Sequence, residues 1–307
     1  MGRFSRRALL AGTVASAVGS RVSLVLAQRG AEGESWLRGK TAFVTGSTDG
    51  LGREVATRLG ALGATVIVHG RNAERGAEVV AGIEGGGGKA VFYRADLASL
   101  AEVRELAERV AADHDSLSLL INNAGIWMEA GNNERLTSAD GHELVFAVNY
   151  LAPYALTHRL LPLLERGAPS RIVNVSSIAQ SAVNFDDIML TTGYNPSTAY
   201  AQSKLALLML TLDLAAALPA ERITANALHP ATLMDTAMVQ RAGMPARATV
   251  DDGADAVMQL AVSVELAGTT GRYFNEMTEA RSNVAQAYDA AARARLKALS
   301  RELTGVG

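Results

Sequence analysis

Lys40-Thr41-Ala42-Phe43-Val44 runs directly into Thr45-Gly46-Ser47-Thr48-Asp49-Gly50-Leu51-Gly52, and the order of these residues decides the fold. A short apolar run, a turn with glycines at 46, 50 and 52, and an amphipathic helix over 51–62 follow one another without a gap. Glycines in such a turn permit positive φ and let backbone N–H groups approach an anion closely. A helix beginning near Gly50 turns its free N–H groups and positive dipole end toward a diphosphate. The strand–turn–helix setting separates a nucleotide loop from an accidental glycine cluster. Gly46, Ser47, Thr48, Asp49, Gly50, Leu51 and Gly52 are therefore expected around a dinucleotide.

The same alternation continues along the chain. Apolar runs stand at Thr41–Val44, Thr65–Val68, Ala90–Tyr93, Leu117–Ile121, Arg171–Val175, Ile223–Leu228 and Arg272–Phe274, with helical stretches near 51–62, 73–83, 99–112, 137–165, 198–217 and 251–265. Strands that are apolar throughout are covered on both faces. Strands of that kind alternating with helices imply an α/β protein with a doubly wound parallel sheet of about seven strands. No Pro/Ser-rich linker interrupts it, so a single domain is expected over 36–280. A last helix, Glu279 to Glu302, is rich in Ala and Arg and is expected to make 281–307 a C-terminal surface helix.

The chain has 307 residues, 20% of them charged, and a formal charge of −2, with no basic stripe that would suit nucleic acid. It has no cysteine, which excludes disulfides, thiolate catalysis and zinc–cysteine sites. The five histidines show no metal-ligand spacing, and no metal is expected. The first 30 residues differ from the rest: Arg3, Arg6 and Arg7 precede the uncharged Ala8–Ser20, and Val25-Leu26-Ala27 offers a cleavage site. This is the layout of an export signal, and Ser5-Arg6-Arg7-Ala8-Leu9-Leu10 resembles the twin-arginine signal, whose pathway carries folded proteins. The expectation is export to a bacterial periplasm after cleavage near Ala27, or a cytoplasmic protein if the leader is not used. At 13 residues, Ala8–Ser20 is short of the roughly 20 that span a bilayer.

The second strand decides which dinucleotide. An acid at its end holds a 2′-hydroxyl, and a cation accepts a 2′-phosphate. Here it ends Val68-His69-Gly70-Arg71-Asn72, without an acid, and Arg71 offers two hydrogen bonds to a phosphate. NADP is expected over NAD, although Asp49 in the loop disfavours an extra phosphate. Further on, Tyr200 and Lys204 lie four residues apart in one helix and so share a face, about 6 Å from each other. An ammonium beside a phenol favours phenolate and pulls down a pKa that starts near about 10, which suits proton exchange with an alcohol.

Taken together, Thr45-Gly46-x-x-x-Gly50-x-Gly52, Asn122-Asn123-Ala124-Gly125, Ser176-Ser177 and Tyr200-x-x-x-Lys204 resemble the short-chain dehydrogenase/reductase family, from about Lys40 to Phe274. The resemblance implies a Rossmann-type fold and an NADP-dependent interconversion of alcohol and carbonyl. Tyr200 is then the proton donor or acceptor, and Lys204 lowers its pKa and binds the nicotinamide ribose. Asn149, in Phe146-Ala147-Val148-Asn149, matches the fourth catalytic member and holds a water beside Lys204. Adjacent strand residues face opposite ways, so one of Ser176 and Ser177 meets the substrate; the resemblance selects Ser177. It also implies cofactor contacts from Arg71 and Asn72, from Asp96 and Leu97 near the adenine, from Asn123, Ala124 and Gly125, and from Pro230 and Thr232. Asp96 reads equally as a first-turn helix acid. Ala231 stands where the family has glycine, which puts a positive φ there in doubt.

Twenty-two residues separate Ser177 from Tyr200. Phe185-Asp186-Asp187 and Tyr194-Asn195-Pro196 within them resemble the retinol-dehydrogenase-like branch, which implies a lipophilic substrate. Trp127, Met128, Met189, Leu190, Leu233, Met234 and Met238 are candidates for an apolar pocket. Asp186 and Asp187 read as a solvated loop. Helix 198–217 is apolar on nearly all sides, so its outer face needs a cover. A homodimer through this helix is expected, with the C-terminal helix as the other candidate. Two alternatives remain on the same frame: a non-catalytic NADP-binding sensor, and a C=C double-bond reductase.

Overall fold

The computed structural model describes residues 36–127 and 131–307; the expected export leader and Met128 lie outside the described residues. The apolar runs become strands because each is enclosed. β1 (Thr41–Val44), β2 (Thr65–Gly70), β4 (Leu119–Asn122), β5 (Ser170–Val175) and β6 (Ile223–His229) are buried at nearly every position, whereas β3 (Lys89–Arg94), at one edge, is partly exposed. With β7 (Tyr273–Asn275) and β8 (Thr278–Ala280) they form one sheet in the order β3-β2-β1-β4-β5-β6-β7-β8. All neighbours are parallel except β7 and β8. The eighth strand exceeds the seven expected, because the exposed Thr278-Glu279-Ala280 has no apolar run to announce it.

Helices cover both faces. α1 (Gly50–Ala61) and α2 (Ala73–Gly85) share one core with the later helix Val250–Val262, built on Val44, Val55, Leu59, Val66, Val79 and Val257. α3 (Leu100–Asp113), α4 (Ala152–Arg166) and α5 (Pro196–Ala217) share the other, on Phe43, Leu106, Leu160, Ile172 and Leu208. α6 (Ala237–Arg241), α7 (Val250–Val262) and α8 (Ala290–Thr304) complete the chain. The winding direction reverses between β1 and β4, and in open α/β sheets the crevice at such a switch point takes the ligand.

Two helices differ from expectation. The stretch expected as helical from 137 starts at Leu144 instead, because the buried Glu143 accepts from the N–H groups of Val145 and Phe146 and so caps it. One turn (Leu144–Phe146) and a π-helical turn (Ala147–Leu151) then lead into α4. The C-terminal helix begins at Ala290, where Asp289 caps it, and lies on the surface with one face packed inward. Leu296 and Ser300 are buried, Ser300 shares a hydrogen bond of 2.6 Å with Tyr150, and Arg293 pairs with Asp213 of α5 at 2.8 Å. α8 therefore covers α5 from within the chain. Helix α5 is buried at most positions from Ala199 to Leu214 within the single chain. No helix among the described residues is long and apolar enough to cross a membrane.

Candidate active site

The turn after β1 is shaped by its neighbours. Gly46 and Gly50 have φ of +63° and +49°, values that suit glycine. A Cβ on Gly46 would stand 2.9 Å from Ala124 Cα, one on Gly50 3.3 Å from Thr236 Cγ2, and one on Gly52 would collide with the Gly46 carbonyl. Thr45 Oγ1 accepts from the N–H groups of Asn123 and Ala124, both at 3.0 Å, and Asn123 Nδ2 donates to Thr45 O at 2.9 Å. The loops after β1 and β4 are thus held as one unit. Ser47 is fully buried and donates its hydroxyl to Val44 O, and Leu51 packs in the core, so neither side chain faces the crevice. In the first turn of α1 the backbone N–H groups of Leu51 and Gly52 have no intrahelical partner. The bare glycines and open N–H groups fit a diphosphate.

At the end of β2, Arg71 is exposed with its guanidinium 3.7 Å from Asp96, and Asn72 caps α2. Asp96 also accepts from Ala98 N–H, but it precedes the Ser99 cap of α3 by three residues, so it is not a first-turn acid of that helix. Leu97 is buried. Sequence reasoning missed Arg75, which pairs with Asp49 at 3.2 Å and gives this edge a second guanidinium. Its one signal was its distance from Arg71, four residues on, in the first turn of α2.

The residues expected to be catalytic converge at the end of β5. Ser176 donates to the Lys204 carbonyl at 2.8 Å and so points into α5. The Ser177 hydroxyl instead accepts from the Ala179 N–H at 3.1 Å and is near enough to the Tyr200 phenol to pull its pKa down. Lys204, buried, donates from Nζ to Val175 O at 2.9 Å and lies 5.6 Å from the Tyr200 ring centre. Asn149 sits in the π-helical turn, and its amide is almost spent: Oδ1 accepts from Ile126 N, while Nδ2 donates to Ile126 O and Ser203 Oγ. One lone pair on Oδ1 is left for the water expected beside Lys204. A Cβ on Gly125 would come within 3.3 Å of Lys204 Nζ and 3.4 Å of Asn149 Oδ1, so this glycine makes room for the cluster.

Electrostatics here differ from the sequence expectation. The Tyr200 phenol is held above its ordinary pKa, chiefly by burial, with the Ser177 hydrogen bond pulling the other way. Burial pushes Lys204 down to about 8. Low polarity disfavours both charged forms at once, and the expected lowering of the phenol by its ammonium neighbour is absent from this balance.

Pro230 and Ala231 are buried, and Thr232 Oγ1 lies 3.0 Å from His229 Nε2. Ala231 does not take a positive φ; Leu233 does, at 50°. Trp127 stacks on Tyr200 with ring centres 5.4 Å apart, and Leu233 and Met238 are partly buried. The other candidates among the described residues turn inward. Leu190 joins Val145 and Ala199 in a small core against Tyr200, Met189 packs on the main core, and Met234 packs over Gly253. The insert is fastened by bonds that include Arg135 to Met189 O, Gln202 to Ile188 O, and Tyr194 to the Glu143 carboxylate. Asp186 is solvated, and Asp187 accepts from Thr191 and Thr192, which hold its carboxyl down at about 2.

The glycine turn at the switch point of the sheet thus stands beside a cluster of Ser177, Tyr200 and Lys204, and the comparisons give the family. The chain matches the short chain dehydrogenase family over residues 40–246. It is 35% identical to mouse retinol dehydrogenase 14 over 279 residues, covering 82% of each chain, and 37% identical to mouse polyprenol dehydrogenase over 290 residues, covering 88% of this chain and 85% of that one. A crystal structure of a short chain dehydrogenase from Shigella flexneri complexed with NADP superposes with a TM-score of 0.63 at 26% identity, covering 78% of this chain and 98% of that one. An uncharacterized protein from Mycobacterium paratuberculosis gives a TM-score of 0.71 at 29% identity, covering 89% and 97%. The chain belongs to the short-chain dehydrogenase/reductase family, in its retinol-dehydrogenase-like branch, and is an enzyme of that class with a nicotinamide cofactor.

Proposed function

We propose that this enzyme is NADP-dependent and interconverts a lipophilic alcohol with its carbonyl compound, with Tyr200 as proton donor in reduction and acceptor in oxidation. The observation that carries the reading is the convergence of Ser177, Tyr200 and the buried Lys204, whose Nζ lies 5.6 Å from the Tyr200 ring centre and is held by Val175 O. The coenzyme supplies or receives the hydride when bound. The chain does the rest. Ser177 donates a hydrogen bond to the substrate oxygen as charge develops on it. Tyr200 transfers the proton, with the Lys204 ammonium one helical turn away. Arg71 and Arg75 at the adenosine edge, with no acid ending β2, favour the 2′-phosphate of NADP. Related structures bound to NADP or NADPH support the same preference.

Trp127 over Tyr200, the partly buried Leu233 and Met238, and the exposed Ile178 next to Ser177 supply apolar surface for a lipophilic substrate. The names of the curated relatives, retinol and polyprenol dehydrogenases, point the same way. The test is to follow absorbance while purified protein is mixed with NADPH and a panel of aldehydes and ketones, then repeat with NADH. Oxidation of NADPH with apolar carbonyls, slower with NADH, is expected. Tight NADPH binding without turnover of any substrate would turn the reading into a sensor, and a saturated product would make it a C=C reductase. We propose further that residues 1–27 direct folded export. Cell fractionation with Arg6 and Arg7 changed to Lys tests this, and a wholly cytosolic, full-length parent protein defeats it.

A further inference from the structure

His69 ends β2 with its ring 2% exposed, and its two nitrogens are treated unequally. Nδ1 accepts the Gly46 N–H at 3.1 Å, whereas Nε2 is buried without a hydrogen-bond partner. A neutral imidazole that accepts at Nδ1 carries its proton on Nε2. Burial keeps this ring neutral, pushing its pKa down to about 4. The Nε2–H has only the Ala95 backbone near it, too loosely placed for an ordinary hydrogen bond, so the firm polar contact of this ring is the one it makes to Gly46. That contact falls on the turn after β1.

The Gly46 N–H belongs to the Thr45–Gly46 peptide, whose carbonyl accepts from Asn123 Nδ2 at 2.9 Å. One flat peptide group is therefore gripped at both ends, by His69 on its N–H side and Asn123 on its carbonyl side. A planar unit held at both ends cannot rotate, and its orientation fixes where Gly46, with φ of +63°, sends the rest of the loop. The backbone of His69 extends the grip: Ser47 N–H donates to its carbonyl at 2.9 Å, and its own N–H donates to Ser47 Oγ at 2.9 Å. Gly70 follows without a side chain, which lets Thr48 pack where a Cβ would meet its Cγ2 at 2.6 Å.

We propose that His69 is a positioning residue for the dinucleotide loop, acting as the Nε2–H tautomer that holds the Thr45–Gly46 peptide in the orientation that opens the loop to a diphosphate. The proposal rests on the reading of this loop as the NADP site. It is tested with His69→Leu, which removes the acceptor, and His69→Asn, whose Oδ1 can stand where Nδ1 stands and restore it. Calorimetric binding of NADPH should weaken by at least about tenfold in the Leu variant and stay within about threefold of the parent in the Asn variant. Adenosine 2′,5′-bisphosphate, which lacks the diphosphate bridge, should lose much less. Nitrogen NMR on histidine-labelled parent protein, with His69 assigned by its absence from the Asn variant, should show the proton on Nε2. A proton on Nδ1, a folded Leu variant that binds NADPH like the parent, or an Asn variant as impaired as a folded Leu variant would each overturn the proposal. If the Leu variant does not fold, the tautomer and the Asn variant decide alone. A parent that binds no NADPH defeats the cofactor reading and this proposal together; a parent that binds while the Leu variant is unaffected defeats the proposal alone.

Discussion

Lys204 Nζ lies 5.6 Å from the centre of the Tyr200 ring, one helical turn away, and gives a hydrogen bond to Val175 O at 2.9 Å. The lysine is thereby anchored to β5 as well as to α5, and its charge sits at the junction of the strand and helix that carry Ser177 and Tyr200.

Replacing Tyr200 by Phe should lower kcat by about 10²–10⁴-fold, the usual contribution of a positioned acid–base group, and leave NADPH affinity within a few-fold. Steady-state kinetics on a proven substrate, with fluorescence titration of NADPH, measures both. Undiminished turnover would remove Tyr200 from the chemistry.

Burial of Lys204 has a signed effect on stability. Its folded pKa, about 8, lies below the ordinary 10.5, so between these values the unfolded chain binds more protons. Stability therefore rises with pH across that window, and below it the buried charge costs on the order of 3 kcal/mol. Lys204→Met should be inactive, yet melt no lower than the parent at pH 7 and lose that standing by about pH 10. Melting curves across pH check this; a Met variant less stable at pH 7 than at pH 10, relative to the parent, contradicts it.

The neighbouring serines should separate cleanly. Ser177→Ala should reduce kcat by about a hundredfold, as loss of a donor to a developing oxyanion does. Ser176→Ala should keep most activity and lose about 1 kcal/mol of stability with its bond to the Lys204 carbonyl. Equal kinetic losses would mean that the structural division between them has no functional counterpart.

At the other end of the crevice, Arg71→Ala and Arg75→Ala should each weaken NADPH binding by roughly tenfold and leave NADH almost unchanged. The ratio of the two dissociation constants is the readout. A parallel loss for both coenzymes would place these arginines away from the 2′-phosphate.

Leu296→Ala should destabilise the protein by about 2–4 kcal/mol, the range for a buried leucine, because that side chain lies 2% exposed against the α4–α5 core. A change within 0.5 kcal/mol (about the scatter of surface substitutions) would mean that α8 is only loosely applied.

Local pattern made much of this legible. β1 runs Thr41–Val44 as its apolar run does, and the glycine turn, the serine pair and the Tyr–Lys spacing are all short-range signals in the chain. What escaped depends on partners far away in sequence. Arg75 matters through Asp49 and His69 through Gly46, and neither pairing leaves a periodic trace. The late start of the helical stretch that carries Asn149 follows from Glu143, a carboxylate that caps it and takes the Tyr194 hydroxyl from the insert. Met189 and Leu190 looked like pocket residues because hydrophobicity does not say which way a side chain faces; the fastening of the insert turned them inward. Ser176 and Ser177 are chemically identical, and only the carbonyl of Lys204 tells them apart.

The cover that α8 lays over α5 also has a bearing on biosynthesis. Ribosomes make α8 after every strand of the sheet, so the apolar flank of α5 is bare for as long as the nascent chain lacks residues 290–304. A holdase acting in that interval would have a defined surface to grip, and its release would coincide with the docking of Leu296.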